Sequence, residues 1–322
     1  MSEPDRLDPS RRGALKCLAW AGTGVVWTLS GGVASSMMAG DAIAAGRRSA
    51  GLTFVQISDT HIGFDKAANP DVMGTLNAAI AQIKALPTPP AFIIHTGDIT
   101  HLSKAEQFDV ADQALKAVGA PIFRTPGEHD TLDEGHGKVF LERFGAGTKG
   151  DGWYSYDHGG VHFIALVNVV NLQPDGRGFL GADQIAWLKD DVAHLSSSTP
   201  VVVFAHMPLW DAYAPWGWGT ADAAVALAPL RRFGSVTVLN GHIHQVIEKV
   251  EGTITFHTAR STAYPQPPPG TAPSPGPLKV PPNSSARCSA CAKRAGRLAR
   301  ARWPSSTSPW PPRPDWAVRI FL

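Results

Sequence analysis

Short apolar runs that stop at polar residues alternate with segments of helical period through the middle of this 322-residue chain. Leu52 to Ser58 ends in Asp59, Thr60 and His61, which predicts a buried strand delivering polar groups at its carboxyl end. Val72 to Leu86 has helical spacing and stops before Pro87, Pro89 and Pro90. Ala91 to His95 is a second strand, leading to Gly97 and Asp98, and Lys104 to Val118 a second helix, with Ser103 as N-cap and Glu106 at its third position. Pro121 to Arg124 runs into Gly127, Glu128, His129 and Asp130. The repeat of strand, polar tip and helix predicts an α/β domain whose active centre gathers at strand ends.

The second half is richer in strands. Trp153 to Asp157 and Val161 to Val167 read as neighbours, and Ala182 to Leu195 as an amphipathic helix. Val201 to Ala205 leads to His206, Ser235 to Leu239 to Gly241, His242 and His244, and Thr253 to His257 completes a sheet. The pattern predicts a folded domain over 50–264, with 1–45 as an export signal and 265–322 as a Pro-rich basic tail.

Composition sharpens the division at the ends. Hydrophobic residues make up 43% of the chain and charged ones 17%, enough for one substantial core and against global disorder. The net charge of +2 hides an asymmetry: residues 265–322 hold nine Lys or Arg and one acid, Asp315, so the preceding body is acidic. Basic residues segregated in a tail argue against a specific nucleic-acid partner, which needs a basic face on a fold. Fourteen of those 58 tail residues are proline. The tail reads either as a natural disordered segment or as out-of-frame translation. Cys288 and Cys291 form a lone CxxC inside it, a weak zinc or redox signal, and no disulfide framework holds the body.

At the other end, Ser10, Arg11 and Arg12 precede an apolar stretch from Ala14 to Val33 and the small residues of Ala34 to Ala45. That order resembles a twin-arginine-type signal, which implies the export machinery as a partner and a periplasmic or otherwise exported protein. Gly13 and Ala14 stand where such signals carry phenylalanine two places on, whereas Leu15 and Lys16 match. Left unprocessed, the run is about long enough for a single membrane anchor, the one membrane contact the sequence suggests.

Five separated strand ends supply Asp59 and His61, Asp98, Glu128 and His129, His206, and His242 and His244. Carboxylates and imidazoles so placed are what two divalent metals sharing one carboxylate require. The ordered motifs D-x-H, G-D, G-E-H-D, H and G-H-x-H resemble the calcineurin-like metallophosphoesterase superfamily, including its bacterial cyclic-nucleotide-phosphodiesterase-like members. The resemblance implies a β-sandwich flanked by helices, a four-layer α/β/β/α fold. It also implies binuclear metal-dependent hydrolysis of a small phosphate ester, a phosphodiester first, with Mn, Fe or Zn in divalent or mixed-valence pairs. By the same carry-over Asp59, His61 and His244 hold one metal, Glu128, His206 and His242 the other, and Asp98 bridges. His129 contacts the phosphoryl group and protonates the leaving oxygen, and Asp130 orients it.

Glu128 departs from the family, which has asparagine there. Its carboxylate either ligates with an extra negative charge or points away and weakens the second site. No tyrosine follows Asp98 by three residues, unlike purple acid phosphatases. His95, His101 and Asn168 are lesser candidates, for a strand-end position, a substrate contact and an approach to the site from beyond it. Trp210, Tyr213, Trp216 and Trp218 either stack on a flat substituent or pack a loop. A phosphomonoesterase and a noncatalytic metal-dependent binding protein are the competing functions.

Overall fold

A computed structural model of the chain describes residues 24–30, 33–46, 51–279 and 319–320. Arg11, Arg12, Cys17, Cys288 and Cys291, and with them the readings of signal arginines and CxxC, lie outside the described residues.

The strands are β1 (Val25–Ser30), β2 (Val33–Met38), β3 (Leu52–Ile57), β4 (Ile93–His95), β5 (Ile122–Arg124), β6 (Tyr154–His158), β7 (Val161–Ala165), β8 (Val201–Phe204), β9 (Val236–Asn240), β10 (Ile247–Glu251), β11 (Ile254–Thr258) and β12 (Arg319–Ile320). The α-helices are α1 (Ala39–Ala45), α2 (Val72–Lys84), α3 (Ala105–Lys116), α4 (Lys138–Phe144), α5 (Ala182–Ala193) and α6 (Ala223–Leu227). One sheet runs β2-β1-β3-β4-β5 and the other β12-β10-β11-β9-β8-β7-β6. Strands β3, β4 and β5 are parallel, as are β7, β8, β9 and β11, so their carboxyl ends point the same way within each sheet.

Side-chain alternation explains how two sheets share one core. In β8 the run VVVF sends Val202 and Phe204 to one face and Val201 and Val203 to the other. Phe54, Phe92 and Ile94 of the first sheet meet Phe163, Val202, Phe204 and Leu239 of the second, and Phe163 sits edge-on to both Phe54 (5.6 Å) and Phe92 (5.2 Å). The outer face of the first sheet, Val55, Ile57 and Ile93, packs under Leu76, Ile80, Phe108 and Leu115 of α2 and α3. The outer face of the second, Ile164, Val201, Val203 and Val238, packs under Leu188 and Val192 of α5 and Ala226 and Leu230 after it. The architecture is therefore helix, sheet, sheet, helix. Strands buried on both faces read as continuous apolar runs, which is why these were visible in sequence.

Three features differ from the sequence expectation. Residues 25–30 and 33–45, within the segment assigned to the signal, contribute two paired strands and α1 to the body. V-V-W-T-L-S has the two-residue alternation of a strand, pairs antiparallel with β3, and buries Trp27 to 1% exposure with its indole N–H donating to Gln56 Oε1 at 3.3 Å. The Pro-rich segment also does not leave the body at 264, since residues 265–279 lie back over it. Finally, Ser103 is not the cap of α3. It lies at φ 55° and its hydroxyl donates to the Asp130 carbonyl and to Asp133 Oδ1, so tertiary partners outcompete the helix end. Among the described residues no helix is long and apolar enough to cross a membrane.

Candidate metal centre

Each strand end turns sharply to present its polar residue. Asp59, His61, Asp98, His242 and His244 all have positive φ, between 42° and 69°. Left-handed backbone is uncommon outside glycine and costs of order 1–2 kcal/mol per residue, so five such residues in one place mark a site at which packing overrides local preference. The loops interlock through backbone bonds: His61 N–H donates to the Asp98 carbonyl (2.9 Å), Asp59 N–H to the Gly97 carbonyl (3.0 Å) and Gly241 N–H to the His206 carbonyl (3.0 Å). Gly97, at φ 93°, is required by contact as well, because a Cβ there would lie 2.4 Å from His206 Nδ1.

All seven predicted ligand residues are brought together. The candidate donor atoms of Asp59, His61, Asp98 and His244 lie within 4.8 Å of one another, as do those of Glu128, His206 and His242. Asp98 Oδ2 is 3.4 Å from both His61 Nε2 and His206 Nε2, which sets it between the two groups. Asp59 Oδ1 lies 3.3 Å from His244 Nε2 and accepts the His242 N–H at 3.0 Å. Glu128 does not point away: Oε2 is 2.8 Å from His206 Nε2 and Oε1 is 2.9 Å from His242 Nδ1.

The donor set fits divalent cations. Asp59 Oδ2, Glu128 Oε2, His206 Nε2 and His242 Nδ1 are buried atoms without an aligned hydrogen-bond partner, although several lie within 3.5 Å of one another. Polar atoms that converge without bonding to each other call for a cation among them. The electrostatics agree. Burial opposes charge at Glu128, yet His242 and His206 hold its carboxyl well below the usual range; burial likewise opposes charge at His206, yet Asp98 and Glu128 raise its imidazole well above its ordinary value. Tautomers are set from behind. His206 Nδ1–H donates to the Thr96 carbonyl (2.7 Å) and His244 Nδ1–H to the Tyr264 carbonyl (2.6 Å), which turns each Nε2 toward the cluster.

His129 stands at the mouth. Its N–H donates to Asp98 Oδ1 (2.9 Å) and its Nδ1–H to the His101 carbonyl (2.8 Å), leaving Nε2 for a ligand. Burial lowers its pKa, but Asp98 and Glu128 outweigh that and raise it. The ring stacks on His101 at 4.7 Å and 19°. Asp130 takes another role than expected. Its carboxylate accepts from the N–H groups of Ile99 (2.9 Å), Thr100 (2.8 Å) and Gly127 (3.0 Å) and from the Thr100 hydroxyl (2.8 Å). It clamps the Asp98 loop to the Gly127 loop, and the His101 carbonyl is what orients the His129 ring.

The lesser candidates separate. His95 is fully buried, and burial lowers its pKa to about 3. Its Nδ1 accepts the Gly97 N–H (3.3 Å) and its Nε2 lies 3.2 Å from Thr60 Oγ1, so it braces two ligand loops and is not itself among the converging donors. Asn168 ties the end of β7 to the Met207 backbone and Thr220. Trp210 packs on Phe256 and Trp218 is buried, while Trp216 and Trp218 line the cavity over the cluster. Sequence reading missed Tyr264, whose ring stacks on His61 at 4.9 Å, and Gln266, whose side-chain amide donates to the His242 carbonyl at 3.3 Å. Neither belongs to a motif, and only the chain's return past β11 brings them in.

The clusters at the strand ends of a layered α/β fold are those of a binuclear divalent metal site. The calcineurin-like phosphoesterase family model matches residues 52–246, and the chain belongs to that family. Its relatives include a "probable cyclic nucleotide phosphodiesterase" of Rhodopseudomonas palustris, 26% identical over 234 residues that cover 66% of this chain and 79% of the relative. A glycerophosphodiester phosphodiesterase of Enterobacter lignolyticus is 24% identical over 233 residues, covering 66% and 78%. Among solved structures, a dimetal phosphatase from Danio rerio superposes with TM-score 0.53 at 14% identity, covering 72% of this chain and 89% of that one, and so shares the fold.

Proposed function

We propose that the chain is a metal-dependent phosphodiesterase whose two ions are held by Asp59, His61, His244 and by Glu128, His206, His242, with Asp98 between them. The observation that carries this reading is the position of Asp98 Oδ2, 3.4 Å from a histidine of each cluster. The names of the two relatives, both phosphodiesterases, support the diester over the monoester. When bound, the ions supply charge to the phosphoryl oxygens and a nucleophile at neutral pH.

The chain's own residues do the rest. Asp59, Asp98 and Glu128 bring three negative charges to the cluster and hold the imidazoles around them. His129, its Nδ1–H committed to the His101 carbonyl, presents Nε2 to the leaving oxygen. Held in that orientation, Nε2 is placed to act as general acid. Asp130 keeps the Asp98 and His129 loops in register. Export through the twin-arginine route belongs to the same reading and rests on Arg11, Arg12 and the apolar residues that follow them, with β1 kept in the folded protein by its pairing with β3.

The test combines elemental mass spectrometry on protein loaded with Mn, Fe or Zn with hydrolysis of a diester and a monoester of one leaving group. Two metals per chain, faster diester turnover and loss of turnover in His129→Asn are expected. Metal binding with no turnover of either ester would leave a binding protein in place of an enzyme.

A further inference from the structure

Above the cluster lies a cavity of about 350 Å³ whose floor is Glu128, His129 and His242. Trp216, Trp218 and Leu172 line it, and so do Pro275 and Pro277 from the Pro-rich segment after β11. That segment is strapped down at the ligand loop itself. The Gln245 amide donates to the carbonyls of Gln266 (3.0 Å) and Pro267 (2.7 Å), and the Gln266 amide to the His242 carbonyl. The strap closes on itself where Leu278 N–H donates to the Pro265 carbonyl at 2.9 Å. Seven prolines between 265 and 277 restrict φ along it, which lowers the entropy lost on holding one shape.

We propose that residues 264–278 are a specificity strap: together with Trp216 they form an apolar slot that selects phosphate esters carrying a flat, unsaturated substituent over those carrying a small or glycerol-like one. The inference rests on the phosphodiesterase reading of the cluster and adds to it which substituent the site admits. Three observations converge on it. Trp216 is held edge-on by Tyr213 (5.1 Å, 86°) and Trp218 (5.0 Å, 82°), so its plane is fixed before a ligand arrives. Proline rings, which carry no N–H, and the face of the indole offer flat apolar surface on which an unsaturated substituent can stack, while the polar groups that also line the cavity, Lys66, His101 and Gln266, are not part of that apolar surface and leave a polyol held over the prolines without partners. Because the strap is bonded to the backbone of His242, the slot sits at a fixed offset from the metal ligands.

The test compares phenylphosphonate with methylphosphonate, which share a headgroup, by calorimetric titration of the metal-loaded full chain. The wild-type protein is expected to bind phenylphosphonate at least ~10-fold more tightly, the range one well-packed apolar group commands. In Trp216→Ala and in Pro275→Gly/Pro277→Gly the ratio falls toward one, with two metals per chain and a cooperative melt reporting an intact fold. Trp216→Leu, which keeps apolar volume but not flatness, falls between. Binding of both phosphonates without preference, or a preference untouched by the three variants, overturns the strap and leaves the phosphodiesterase reading standing. Failure of either phosphonate to bind metal-loaded protein overturns both.

Discussion

Alanine at Gly97 perturbs the centre through geometry alone, without removing a ligand. The residue sits at φ 93°, where an L side chain costs roughly 1–2 kcal/mol. The added Cβ would stand 2.4 Å from His206 Nδ1 and 2.7 Å from the Gly127 nitrogen, closer than such atoms approach, so His206 must move. Moving it breaks its 2.7 Å bond to the Thr96 carbonyl, worth about 1 kcal/mol net. The conformational cost falls on folding, while displacement of His206 falls on the second metal cluster. Gly119→Ala is the matched control: its φ is 78°, and no atom lies within 4 Å of the added Cβ. Denaturant melts of metal-free protein should show about 1–2 kcal/mol lost in Gly119→Ala and about 2–3 kcal/mol in Gly97→Ala. Calorimetric metal titration should show wild-type affinity in the control and weakening by roughly fivefold or more in Gly97→Ala, the tenfold-per-1.4 kcal/mol equivalent of the lost bond. Equal destabilisation in both variants with wild-type metal affinity in Gly97→Ala would refute the claim that this glycine exists to admit His206.

Further outcomes follow from the same geometry. Glu128→Gln keeps an oxygen of the same reach but removes a charge 2.8 Å from His206; occupancy of the second cluster should weaken by about 10- to 100-fold in metal titrations while the first is retained. His95→Ala strands the buried Gly97 N–H and removes one of the two partners of the Thr60 hydroxyl, which keeps its bond to the Ile99 carbonyl, so a loss of about 1–3 kcal/mol with weakened metal binding is expected, partly restored in His95→Gln. At His162, burial lowers the pKa, but hydrogen bonds to Asp191 (2.9 Å) and Asp157 (2.8 Å) raise it above the ordinary value near 6.5. A raised folded-state pKa contributes stability that is full below about pH 6.5 and is lost as pH climbs through the folded value. Melts of metal-loaded protein across that window should therefore lose a pH-dependent component in His162→Gln, and parallel curves for the two proteins would count against it. Phe163→Ala, which empties the contact between the sheets, should cost about 3–5 kcal/mol in the same assay.

Strands β3, β4, β7, β8 and β9 were legible because burial on both faces leaves predominantly apolar runs, and their polar tips were legible because the candidate ligands sit at strand ends. Helices α2, α3 and α5 were read to within a few residues. Strand β10, with the sequence I-E-K-V-E, was not, since its charged residues look like a loop until β11 pairs with it. The pairing of β1 and β2 was hidden by an apolar composition that serves a signal as well as a strand. Ser103 looked like a helix cap because N-cap chemistry is local, and Asp130 and Asp133 claimed its hydroxyl from a distant loop.

The sequence by itself determined which carboxylates and imidazoles stand at the strand ends, and in what order, because these are properties of residue type and the motifs lie within a few residues of a strand end. Only the tertiary structure decided that Glu128 turns inward, that Asp130 clamps loops while the His101 carbonyl aims His129, and that residues 264–278 lie over the mouth. Each of these is a contact between segments remote in sequence, set by which strand ends the sheets bring together, and local patterning carries no record of it.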